Sequence, residues 1–162
     1  MEIKTHSILG ISPGTKTMGI AVMKENELLV AVTKNFDGTW SKEKRKNILK
    51  VIEKYSVKYQ VKVVAIKVNH ASRSSKGLIE LINAIRKFSA KQSLLHFEYS
   101  IEELKQFNFP NVKANKESLL KSMVDIHQEL LSEYTKEMRN KDGYYLKLFE
   151  AVACAKVAEK SK

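Results

Sequence analysis

The stretch Ile8-Leu9-Gly10-Ile11-Ser12-Pro13-Gly14-Thr15-Lys16-Thr17-Met18-Gly19-Ile20-Ala21-Val22 constrains the fold more than any other. It reads as strand, tight turn, strand. Proline sets one backbone angle of the turn, and glycine permits the unusual next one. Ile8, Leu9 and Ile11 form the apolar end of a buried strand, and Gly19 to Val22 resumes an extended pattern. Such a hairpin leaves the residue before the turn, Ser12, at the rim of a sheet, where a side chain can do chemistry. The stretch is also a near miss to a Walker A loop, with Thr15 where a glycine is required and then Lys16-Thr17. A Walker loop must lead into a helix, and the residues after Gly19 are strand-like, which argues against nucleotide hydrolysis.

The pattern continues in order. Residues 3–12 and 17–24 predict two strands, and Leu28 to Val32 begins a third, giving an antiparallel meander. Ile48, Leu49, Ile52, Tyr55 and Tyr59 recur at helical spacing and predict a helix from Trp40 to Tyr59. Val61 to Val68 suits a strand buried on both faces. Asn69 to Lys76 is a polar loop, and Leu78, Leu81, Ile82, Ile85 and Phe88 mark the next helix. Leu94 to Tyr99 predicts a fifth strand. Ser100 with Glu103 is a capping box for a short helix through Phe107. Pro110 keeps residues 108–115 a loop. Leu119, Met123, Ile126, Leu130 and Tyr134 predict one long amphipathic helix, and Tyr145, Leu148, Phe149, Val152 and Ala155 a last one after a polar break at Arg139 to Gly143. A meander followed by alternating strands and helices implies a mixed sheet with helices on its faces. No repeat or low-complexity tract divides the chain, so residues 1–162 are expected to form a single domain.

Charge narrows the partner. The 29 Lys and Arg outnumber the 18 Asp and Glu, for a net charge of +11. Nucleic acid is the usual anionic partner of so basic a chain. No apolar run approaches the ~20 residues that span a bilayer, and the start, Met1-Glu2-Ile3-Lys4, shows no signal-peptide core. The lone Cys154, set among alanines, excludes an intramolecular disulfide and fits burial in a reducing cytoplasm, the expected location. His6, His70, His96 and His127 show no metal-ligand spacing. His70 adjoins the end of the fourth strand and is a candidate phosphate contact. Ser72-Arg73-Ser74-Ser75-Lys76 is a second, whereas Lys42-Glu43-Lys44-Arg45-Lys46 reads as the solvated start of a helix. Trp40 and Phe36 are the only hint of an aromatic platform for single strands.

Ile8 to Val22 resembles the opening of RuvC-type Holliday-junction resolvases, of the ribonuclease H-like fold. Pro13, Gly14 and Gly19 keep the spacing of that family's first motif, and Ser12 stands in place of its aspartate. Val63-Val64-Ala65-Ile66-Lys67 is similar to the family's fourth strand, with Lys67 in place of the terminal glutamate. Glu98-Tyr99 and Lys105-Gln106 are similar to its fifth strand and next helix. Lys147 and Glu150-Ala151-Val152-Ala153-Cys154-Ala155 resemble its last helix, where two aspartates stand three apart. The resemblance covers nearly the whole chain. It implies an α/β, ribonuclease H-like fold: a five-stranded mixed sheet, three strands antiparallel and two parallel, with helices on both faces.

The family cuts phosphodiesters with two divalent ions held by four carboxylates. Only Glu150 survives of the four positions Ser12, Lys67, Lys147 and Glu150. Magnesium needs hard anionic oxygens, and two ammonium groups repel it. The resemblance with these substitutions implies a nucleic-acid-binding relative without two-metal cleavage and without a metal cofactor. Lys16, Lys67, His70, Arg73, Lys76 and Lys147 are its candidate contacts to branched or double-stranded DNA. Two alternatives stay open: an active Mg- or Mn-dependent endonuclease with unorthodox ligands drawn from Asp37, Asp142 or Glu98, and a protein-interaction scaffold. The family forms homodimers, so the helix from Leu78 to Phe88 either carries a dimer face or only covers the sheet.

Overall fold

The computed structural model describes residues 6–108 and 115–161. The elements are β1 (Ser7–Ser12), β2 (Thr17–Lys24), β3 (Glu27–Asn35), α1 (Lys42–Lys58), β4 (Val61–Lys67), α2 (Lys76–Lys91), β5 (Leu95–Tyr99), α3 (Ile101–Asn108), α4 (Lys116–Ile126), α5 (Leu131–Asn140) and α6 (Leu146–Ser161). They form one five-stranded sheet in the order β3-β2-β1-β4-β5. β1, β2 and β3 pair antiparallel, while β4 is parallel to both β1 and β5. The mixed sheet with three antiparallel strands and two parallel additions is the one expected.

Two cores flank it. Leu9, Ile11, Ile20, Val22, Val64 and Ile66 face Ile48 and Ile52 of α1 and Leu81 and Ile85 of α2. Ile8, Ala21, Met23, Val63 and Ala65 face α6 with α3, α4 and α5 around it. Alternation along each strand sends successive side chains to opposite faces, so the valine-rich strands feed both cores at once.

α6 lies directly on the sheet. Ala151, Val152, Ala153, Cys154 and Ala155 have no solvent exposure. A methyl group at Gly10 would collide with the Ala151 carbonyl, and one at Gly19 with the Lys147 carbonyl. Two glycines on the strands and alanines on the helix are thus what let the backbones approach. The N-terminus of α6 is capped from a distance. Buried Glu137 accepts the N–H groups of Gly143 and Tyr145 at 2.8 and 3.0 Å.

The structure corrects several boundaries. The first strand starts at Ser7, and residues 3–5 of the expected strand lie outside the described residues. Most of the expected loop around Pro110 also lies outside them. The third strand that Leu28 to Val32 begins runs from Glu27 to Asn35. α1 begins at Lys42, where the Ser41 hydroxyl caps the Lys44 N–H at 3.0 Å. Lys44 is not on a solvated face. It is buried, and its ammonium donates to the Gly38 carbonyl at 2.6 Å. The long helix expected through Leu119 and Tyr134 is broken at His127, which has φ −120° and ψ 83°. The break lets Leu130 turn into the core at 3% exposure and leaves Ile126 51% exposed, though helical spacing put both on one buried stripe. The capping box at Ser100 forms as expected, with both reciprocal hydrogen bonds to Glu103.

Candidate functional site

The topology gathers one end of the molecule. β1, β3, β4 and β5 all finish at the same edge, and α1 and α2 start there because each descends after a rising strand. α6 starts there too, since Glu150 meets Ser12 while the later Ala151 and Ala155 meet Gly10. The N-termini of α1, α2 and α6, the positive ends of their dipoles, therefore lie at this edge.

Ser12, Lys67 and Glu150 converge in it. The Ser12 hydroxyl donates to Glu150 Oε1 at 2.7 Å, and Lys67 Nζ stands 3.5 Å from the same oxygen. All three residues are buried, Ser12 completely. The ammonium of Lys147 donates to the Pro13 carbonyl at 3.3 Å, and its stem lies over Gly14. The four positions that the resemblance pointed to thus lie around a single turn and helix end. Lys67 does not snorkel to solvent. It neutralises the buried Glu150 carboxylate. Glu150 Oε2 has no hydrogen-bond partner among the described residues.

This donor set does not fit a pair of divalent ions. Magnesium takes about six oxygens in near-octahedral order, and here one carboxylate is shared between a hydroxyl and an ammonium. No group of three or more His, Cys, Asp or Glu side chains suited to a metal occurs among the described residues. Of the acids considered as substitutes, Glu98 and Asp142 are engaged elsewhere and Asp37 is exposed in a turn. Glu98 forms a bidentate pair with Arg86 at 2.6 and 2.8 Å and also meets His96. The Arg86 guanidinium holds the Glu98 carboxyl below its usual range. Asp142 is exposed and accepts the Tyr144 N–H at 3.0 Å. Asp37 is exposed beside Gly38, whose φ of 88° marks the turn expected there.

The remaining expected contacts ring the edge. Lys16 is exposed in the β1–β2 turn, and Arg73 and Lys76 are exposed around the start of α2. His70 is exposed, but its ring accepts the Ser72 N–H at 3.2 Å and meets the Ser72 hydroxyl at 2.8 Å, so it shapes its own short turn. α2 has no acidic residue in its first turn. Trp40 offers no stacking platform. Its ring packs on Gly77 and its indole N–H donates to Glu80 at 2.8 Å. Phe36 packs against the α1–α2 core. Cys154 is fully buried, and desolvation pushes its thiol pKa well up. Sequence reasoning missed Asn35, which ends β3 at this edge and donates to the Tyr144 hydroxyl at 2.9 Å. It also missed Glu137. Neither carries a local signal, because each partner is distant in sequence.

The fold and the converging strand ends define a ribonuclease H-like protein. Its structure is similar to that of Thermus thermophilus RuvC in complex with a Holliday junction substrate, with a TM-score of 0.69 and 16% identity over 97% of each chain. It is similar to a second Thermus thermophilus RuvC structure, with a TM-score of 0.70 and 16% identity over 96% of each. Fowlpox virus resolvase in complex with Holliday junction DNA matches with a TM-score of 0.59 and 15% identity, over 96% of this chain and 99% of that one. No curated protein matches significantly. The family model described as crossover junction endodeoxyribonuclease RuvC matches residues 8–140. The chain belongs to the RuvC family. Lys147 and Glu150 lie beyond the matched residues, so their correspondence rests on geometry and resemblance.

Proposed function

We propose that the protein binds branched or double-stranded DNA at this edge and does not cut it by a two-metal reaction. One observation carries the reading: the single carboxylate at the four positions is already held by Lys67 and Ser12. The buried Lys67 ammonium balances the Glu150 carboxylate, so phosphate contact falls to other cations, and the buried Ser12 hydroxyl is too enclosed to attack phosphorus. Lys16, Arg73, Lys76 and Lys147 then meet phosphate oxygens around the rim, helped by the N-termini of α1, α2 and α6. Branched DNA is the favoured partner because two of the similar structures hold Holliday junctions.

The test uses a four-way junction and a linear duplex. Binding of the junction at low salt, with no cleavage in magnesium or manganese, is expected. Combined Lys16→Ala and Lys76→Ala substitutions at the exposed rim should weaken junction binding and flatten its salt dependence by roughly two units. Cleavage of the junction would establish the active-endonuclease alternative, and absence of any DNA binding would leave a scaffold.

A further inference from the structure

The chain's positive charge is not spread evenly. α1 and α2 together hold eleven Lys and Arg against three Glu, a surplus of eight out of the net +11. Residues 101–161, whose described helices supply the layer on the other face of the sheet, hold ten of each sign. A groove runs between α1 and α2, lined by Arg45, Lys46, Lys50, Lys87 and Lys91 over a floor of Leu49 and Phe88. None of these five cations forms an ion pair among the described residues. The two acids in its lining, Glu53 and Glu80, offset only part of the charge of the five cations.

The spacing matters as much as the sum. Lys46 and Lys50 stand one turn apart on α1, as Lys87 and Lys91 do on α2, so a cation recurs about every 6 Å along both walls. Both helices begin at the edge that holds Ser12, Lys67 and Glu150, so the groove leads away from it, past Arg73 and Lys76. Leu49 and Phe88 are half-buried at its floor and pack against the core beneath. A two-fold self-association through the groove would set the same five cations against themselves.

We propose that the α1–α2 groove is a second nucleic-acid surface, which holds the phosphate backbone of one duplex arm as it leaves the cleft. This rests on the nucleic-acid reading above and adds a site to it. The sixteen residues of α2 span about 24 Å, the length of roughly seven base pairs. The contacts are electrostatic and blind to base sequence.

The experiment compares the protein with a variant carrying Lys46→Ala, Lys50→Ala, Lys87→Ala and Lys91→Ala. All four lysines are exposed, and circular dichroism and thermal melting verify that the variant folds. A control carries Lys121→Ala and Lys136→Ala on the opposite, charge-balanced layer. Affinity for a linear duplex is measured over a range of salt. The groove variant should bind about tenfold or more weakly, with the slope of log affinity against log salt reduced by roughly three to four units, and the control should match the parent. A groove variant equal to the parent would overturn this proposal while leaving the cleft intact. A parent that binds neither duplex nor junction would overturn both. Unchanged duplex binding with lost affinity for a polyglutamate probe would assign the groove to an acidic protein instead. A parent dimer that the four substitutions dissociate, with duplex affinity retained, would make it a subunit interface.

Discussion

The two faces of the sheet are built on different terms. On one, α6 presses its backbone onto β1 and β2 at Gly10 and Gly19, and its centre is wholly enclosed. On the other, α1 and α2 stand off on branched side chains, Ile48, Ile52, Leu81 and Ile85, and turn a cationic outer surface to solvent. The first face fixes geometry: it sets Glu150 against Ser12 to within a hydrogen bond. The second tolerates change at its surface, which is where a sequence-independent electrostatic contact can be placed at little cost to folding.

The largest effect expected is at the buried pair. Lys67→Met leaves Glu150 enclosed without its ammonium, and stability in urea should fall by about 3–5 kcal/mol. Adding Glu150→Gln should recover most of that loss. A double variant as unstable as the single one would show that Lys67 acts by packing, and the contrast between the faces would lose its electrostatic half. Next is the backbone contact. Gly19→Ala should cost on the order of 1–3 kcal/mol as α6 is pushed off β2, against no more than about 0.5 kcal/mol for Lys50→Ala on the opposite face. Equal costs would mean that both faces are equally plastic.

The smallest effect separates Glu98 from Glu150. Glu98 sits in a partly exposed pair with Arg86, so Glu98→Gln should cost less than about 1 kcal/mol at neutral pH. Its pKa in the folded state lies below the ordinary value of 4.5. The ionised form therefore stabilises the fold above that value, and the contribution disappears as pH falls through the lower folded-state pKa. Urea titrations of parent and variant should differ at pH 7 and converge in acid. A difference that persists in acid would assign Glu98 a packing role.

Much of this was legible in the sequence, for reasons that differ by element. Pro13-Gly14 and the capping box at Ser100 are local chemistry, and both form where expected. The helical breaks were harder to see. Leu119, Met123, Ile126, Leu130 and Tyr134 keep an apolar period straight across His127, because the short turn there conserves the spacing while rotating Ile126 outward. The buried cluster was legible only as a set of positions. That Ser12 would donate to Glu150 depends on a contact spanning 138 residues, which no local pattern encodes. The skew of positive charge onto α1 and α2 was present in composition, but it acquires a location only when the topology puts both helices on one face.

The Ser12–Glu150–Lys67 cluster also fixes the order in which this chain could be turned toward metal binding. Replacing Lys67 first by an acid would enclose two like charges with no counterion, a folding penalty that natural variation seldom crosses. Replacing Ser12 first leaves one ammonium between two carboxylates, a passable intermediate. A route from this cluster toward ion binding would therefore pass through position 12 before position 67.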